Sequence, residues 1–315
     1  MSKDVLICGS IAYDTITQFH DYFKNHILPE NVHSLSISFL VPTMRKDFGG
    51  CAGNIAYNLH KLGGQAVPVA AVGKDFGDYK EHLDRLGITQ RCIKVFAETF
   101  TAQCHITTDK EGNQIAAFHP GAMELAVQNQ IDEPKAAWGI IAPESKDSMI
   151  AKADYFYQHN IPFIFDLGQA MPLFSGEDIL QMLAKASVLT ANDYEASIIE
   201  HRTNKTISEL AQQLKAVVIT RGTKGAELYE NGQTTTIPAV KPEKIEDPTG
   251  CGDAHRAGLL YGLSQGWSWL NSCRLGSIMG SLKIASQGPQ NHDIDLDHVK
   301  ALFTQNFQEN PWQAN

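Results

Sequence analysis

Asp247-Pro248-Thr249-Gly250-Cys251-Gly252-Asp253-Ala254-His255-Arg256-Ala257-Gly258 runs from a turn into a helix. Pro248 and two glycines make the turn, and Ala257, Leu259, Leu260 and Tyr261 continue as an apolar helix. Backbone N–H groups at a helix start lack intrahelical partners and carry the positive end of the dipole, so this turn is suited to cradling a phosphate. An acid at Asp253 repels such an anion. Its placement makes sense if it takes a proton from an attacking hydroxyl. Taken by itself, however, Asp253 reads more simply as a capping carboxylate worth ~0.5–2 kcal/mol to its helix. The rest of the chain decides between the two.

Outward from this segment, short apolar runs bounded by turn residues recur at Val5–Gly9, Ala66–Val72, Trp138–Ala142, Pro162–Asp166, Ser187–Thr190 and Val217–Thr220. Helical patterns fall between many of them, at Asn54–Leu62, Tyr79–Leu86, Ser145–His159, Ile179–Lys185, Tyr194–His201 and Ser208–Leu214. Strand and helix in alternation imply parallel strands with helices on both faces. Runs such as Ile140–Ala142 suit strands buried on both sides. After Asp253 the pattern is mostly helical. Two regions break the rhythm. Residues of about 15–48 mix aromatics, Pro29, Pro42 and a β-like piece at Leu35–Leu40. Residues of about 99–123 alternate like half-exposed antiparallel strands. The expectation is one α/β domain over residues 1–315, its three-layer, Rossmann-like core built on a mainly parallel sheet, with these two regions paired into a small β lid.

Composition narrows the partners. There are 26 basic and 35 acidic residues, a net charge of −9, which argues against nucleic acid. No window reaches the ~18 apolar residues of a membrane span. The apolar stretch Val5–Cys8 is too short for a signal-peptide core. Six cysteines without a C-x-x-C pair suit a reducing compartment, and a cytoplasmic location is expected.

A second glycine-rich helix start stands at Gly49-Gly50-Cys51-Ala52-Gly53-Asn54, followed by Leu62-Gly63. Its glycines admit a ligand close to the backbone, and Asn54 offers a donor and an acceptor to a polyol. Asp14 lies just beyond the first strand, where α/β sheets bind ligands, and a carboxylate accepts two hydroxyls of a vicinal diol. Each feature alone is common. In this order, the two glycine segments resemble both signatures of the ribokinase-like (PfkB) carbohydrate kinase family, and the resemblance runs from near the N-terminus to about residue 300. The longer context, including Phe118-His119-Pro120-Gly121, resembles the bacterial adenosine kinase-like branch.

The resemblance implies roles. Asp253 would be the base and Gly250, Cys251 and Gly252 the backbone anion hole. Asp14, Gly49, Gly50 and Asn54 would hold the acceptor, with Phe39, Phe48 and Phe118 as candidates for a purine slot. Asn192 and Glu195 match the element associated with magnesium and its waters. Thr220, Arg221, Gly222 and Gly225 match a strand end flanking the nucleotide, and Asn291 a loop closing over it. Taken alone, Asn192 and Glu195 also read as a helix cap and first-turn acid. The implied cofactors are ATP, Mg2+ and a monovalent cation such as K+. The implied state is a monomer or a lid-mediated homodimer. The family's Asp-x-Asn-x-Arg element is here Asp166-Leu167-Gly168-Gln169, which lacks the Asn and the Arg and leaves Asp166 without a role. The expected reaction is ATP-dependent phosphorylation of a primary hydroxyl on a ribose-containing molecule, adenosine first. A free-sugar kinase and a non-catalytic sensor are the alternatives.

Overall fold

The computed structural model describes residues 3–27 and 36–313. Thirteen strands and nine α-helices follow in chain order among the described residues: β1 Asp4–Cys8, β2 Ala12–Gln18, β3 Thr43–Gly49, α1 Cys51–Lys61, β4 Gln65–Gly73, α2 Gly77–Leu86, β5 Ile93–Phe96, β6 Ala102–Thr108, β7 Gln114–His119, β8 Trp138–Ile141, α3 Lys146–Gln158, β9 Phe163–Asp166, α4 Gly176–Leu183, β10 Val188–Asn192, α5 Asp193–Thr203, α6 Ile207–Ala211, β11 Ala216–Thr220, β12 Ala226–Glu230, β13 Gln233–Ile237, α7 Cys251–Ser264, α8 Trp269–Ile284 and α9 Leu296–Phe307.

Nine strands form one sheet in the order β13-β12-β11-β10-β9-β8-β1-β4-β5, parallel except for the β12–β13 hairpin at one edge. Successive strand residues point to opposite faces, and the core divides accordingly. Val5, Ile7, Ile140 and Val218 pack on one face under α1, α7 and α8. Leu6, Cys8, Ile141, Phe163 and Val217 pack on the other under α3, α4 and α6. That is the expected three-layer arrangement. The six predicted parallel strands are all present. β5 and the β12–β13 hairpin were not anticipated.

The lid is a separate four-stranded sheet, β3-β2-β6-β7. Asp14 lies beyond the end of β1, as expected, but within β2 of this lid, paired with Asp47 on β3 and Cys104 on β6. The β-like reading of Leu35–Leu40 is corrected in part: residues 36–40 are irregular, and Leu35 lies outside the described residues. No helix among the described residues is long and apolar enough to cross a membrane.

Candidate active site

Gly250 caps α7 with φ +80°, and a Cβ there would come 2.8 Å from Pro289 Cβ, so only glycine fits this turn comfortably. Asp253 sits in the first turn of α7, partly exposed. Asn54 Nδ2 donates to Asp253 Oδ2 at 2.8 Å, and the Cys51 thiol also hydrogen-bonds to it. Burial raises the Asp253 pKa, while Asn54, the charge of Arg256 and Cys51 oppose the shift. The two glycine-rich helix starts, about two hundred residues apart in sequence, therefore meet at one carboxylate.

Asn54 is itself oriented. Gln290 Nε2 donates to Asn54 Oδ1 (2.9 Å) and to the Tyr79 hydroxyl (2.6 Å). The Tyr79 hydroxyl donates a hydrogen bond to the Gly49 carbonyl at 2.9 Å, and His82 bonds Gln290 Oε1 at 3.1 Å. With a donor on its oxygen, the Asn54 amide has one orientation, nitrogen toward Asp253. Gln290 was missed from the sequence because a lone glutamine in a loop carries no signature; its neighbour Asn291 had been chosen instead. Asn291 Nδ2 reaches Asp47 Oδ1 at a long 3.4 Å.

Above this floor the lid presents one face. Residues directly opposite in neighbouring strands share a face, so Asp14, Asp47, Cys104 and Phe118 point the same way, joined one step along by Ile16 and Ile106. The Asp14 carboxylate lies against Gly49, where a Cβ would come 2.4 Å from its oxygen. Burial, with the nearby Asp47 and Asp253, pushes Asp14 up to about 6. Arg45 Nε binds Asp47 at 2.6 Å, and its Nη2 stands 3.7 Å from Asp247 of the turn. Phe118 is about half exposed, as an open wall should be. Phe48 is on the opposite lid face, stacked on His82 at 4.2 Å, and does not line this space. Phe39 packs with Phe19, Phe23 and His26. Both are corrected as purine-slot candidates.

Asp166, left without a role by the sequence, ends β9 and is buried. It holds the equally buried Arg256 through Nε and Nη2, the latter at 2.7 Å. The guanidinium missing after Asp166 is thus supplied from α7. A Cβ on Gly252 would begin 2.7 Å from Arg256 Nη1, so the cation lies directly against the turn. Burial works against the charge of Arg256, but Asp166 outweighs it and keeps the guanidinium protonated. His255 is buried against Gly276; burial and the adjacent Arg256 lower it to about 3, so it stays neutral and structural.

Asn192 and Glu195 form a capping box at the start of α5, each side chain taking the other's backbone N–H at 2.8 Å. No cluster of three or more potential metal ligands exists among the described residues. A site offering Glu195 Oε1 and little else fits magnesium, which retains waters and leans on substrate phosphates, better than a metal held by a protein cage. Thr220 donates to the Ala191 carbonyl, and Gly222 and Gly225 close a tight turn with positive φ. Arg221, partly exposed, pairs with Glu227 on β12.

Comparison with known proteins agrees with this geometry. The family model of pfkB carbohydrate kinases matches residues 23–295. The chain belongs to the PfkB family. Its kinship runs through both glycine segments and the lid, and members are phosphotransferases that use an alcohol as acceptor. A nucleoside kinase of Methanocaldococcus jannaschii is 31% identical over 267 residues, 83% of this chain and 87% of that protein. The structure of a Burkholderia thailandensis nucleoside kinase in complex with inosine is 43% identical, with a TM-score of 0.88 and coverage of 98% of this chain and 99% of that one. The same kinase in complex with ADP-inosine gives 44% identity and a TM-score of 0.86 over 98% and 97% of the chains. Asp253 and Asp247, at the two ends of the glycine turn, lie near enough to the lid carboxylate of Asp14 for their charges to act on it.

Proposed function

We propose that this PfkB kinase transfers the γ-phosphoryl group of ATP to the primary hydroxyl of a nucleoside, adenosine foremost. The observation that carries the reading is the lid face. Asp14 stands on the same face as Cys104, Phe118, Ile16 and Ile106, a carboxylate able to accept a diol next to an apolar wall for a nucleobase. The likeness to nucleoside kinases, one of them solved with inosine, supports the same acceptor.

Asp14 takes the ribose diol and orients the ring. Asp253, steered by Asn54, accepts the proton of the primary hydroxyl as it attacks phosphorus. The amides of Gly250 and Gly252 receive the charge on the transferring group, since the Cys251 amide is engaged by the Pro248 carbonyl; Asn192 with Glu195 would hold magnesium-bound water, and the metal, when bound, would neutralise phosphate charge. A general base contributes about 10²–10⁴ in rate, and one lost oxyanion-type donor costs about 2.7–4 kcal/mol, so turn and base matter comparably.

The test is ADP formation with adenosine, inosine, guanosine, cytidine, ribose and fructose in parallel. Turnover confined to nucleosides, with adenosine fastest, is expected. Equal turnover of free ribose would replace this reading with a sugar kinase, and binding without turnover would replace it with a sensor.

A further inference from the structure

Beside the segment that leads into the 250–252 turn, a lysine forms no ion pair with a carboxylate among the described residues. Lys283, in the last turn of α8, is fully buried. Its Nζ donates to the main-chain carbonyls of Asp247 at 2.8 Å and Ser286 at 2.9 Å. Burying an ammonium against neutral carbonyls is costly, and burial does lower the Lys283 pKa, with the nearby Cys251 and Asp247 opposing. A helix C-terminus favours a cation, but a solvated one would serve that purpose without the desolvation.

The location explains the cost. The Asp247 carbonyl opens the peptide run that ends in the phosphate-facing amides. The Asp247 carboxylate accepts from Thr249 N and Gly288 N, both at 2.9 Å. Lys283 therefore ties the two loops that shape the turn, 247–250 and 286–288, and its positive charge is close enough to act on the Cys251 thiol within the turn. Main-chain carbonyls at such distances are what a potassium or ammonium ion takes as ligands, and the two ions are close in size to a lysine ammonium head.

We propose that Lys283 is a built-in monovalent cation: its ammonium occupies a carbonyl site under the phosphate-cradling turn, so the kinase requires no such ion from solution. The inference rests on the reading of residues 250–252 as the phosphate cradle. It runs against the dependence on K+ that the family resemblance suggested.

The experiment has two arms. In the first, the unaltered protein is measured in K+, NH4+, Na+ or choline as sole monovalent cation, for nucleoside turnover and for ADP affinity by calorimetry. Both should agree within about twofold across the four; a tenfold or greater requirement for K+ in either would overturn the proposal. In the second, Lys283→Ala should lose at least about tenfold in kcat in choline, the scale of one charged hydrogen bond. It should regain most of that in K+, NH4+ or a short alkylammonium ion. Full activity of Lys283→Ala in choline would overturn the proposal, as would a deficit that no cation repairs in a variant that melts cooperatively. Should the variant not fold, the first arm decides alone. Should the unaltered protein phosphorylate no nucleoside, the proposed acceptor fails, while ADP affinity still tests the cation.

Discussion

Asp253 is surrounded by groups that set its proton affinity, and each can be tested separately. Asp253→Asn should remove turnover by about 10²–10⁴ while leaving the dissociation constant for nucleoside within a few fold, measured by calorimetry and stopped-flow assay. Gln290→Glu is more informative about how the base is held. A glutamate cannot donate to Asn54 Oδ1, so the amide loses its reason to present nitrogen to Asp253. A charged hydrogen bond is worth about 1.5–3 kcal/mol, so kcat should fall by roughly tenfold to a hundredfold with the melting temperature little changed. Arg256 asks a different question. Removing it alone strands Asp166 in the core at about 3–5 kcal/mol. The apolar double replacement Asp166→Leu with Arg256→Met should restore cooperative melting but not ADP affinity, if the guanidinium against Gly252 acts on the donor phosphates. Of these residues, Asp253 and Asn54 were legible in the sequence because glycine spacing marks them. Gln290 and the Arg256–Asp166 pair were not, since only the folded chain brings residues 90 and more than 200 positions apart into contact.

At the scale of elements, the lid strand β2 carries the pH dependence. Asp14 must be ionised to accept two hydroxyls, and its pKa is pushed up to about 6. The acceptor kcat/KM should therefore fall about tenfold per pH unit below 6, and Asp14→Asn should abolish that limb. The sign for stability is opposite. A carboxyl raised in the folded state favours folding below its unfolded pKa of 3.8, and that contribution is lost as pH rises through about 6. Asp14→Asn should accordingly stabilise the ligand-free protein at pH 7.5, by on the order of 1–3 kcal/mol, and not at pH 4, as thermal melts would show. The parallel strands were readable from continuous apolar runs. The β12–β13 hairpin was overlooked although Asn231 and Gly232, at φ 51° and 73°, supply a turn dipeptide suited to it. Its strand Gln233–Ile237 is almost wholly exposed and gave no apolar signal. The lid was recognised as β structure, but its first strand starts at Ala12, ahead of the expected start near residue 15, so Asp14 was left outside it.

At the scale of the whole molecule, an arginine links the lid sheet to the turn before α7. Arg45 grips Asp47 on the lid and approaches Asp247 on the turn at 3.7 Å. On the proposed function a nucleoside would sit under the lid and the donor over the turn, so each ligand would alter the equilibrium of the same bridge. Thermodynamic reciprocity then requires that whatever factor ADP adds to nucleoside affinity, nucleoside adds to ADP affinity. Arg45→Met should leave each affinity, measured alone, within about threefold, and reduce that mutual factor toward one in a two-ligand calorimetric titration; a factor unchanged in the variant would show that the bridge is not the coupler. If the arginine of β3 is the coupler, either substrate arriving first prepares the site for the other, and a lone ATP would meet a half-assembled site in which water is a poor competitor for its phosphate.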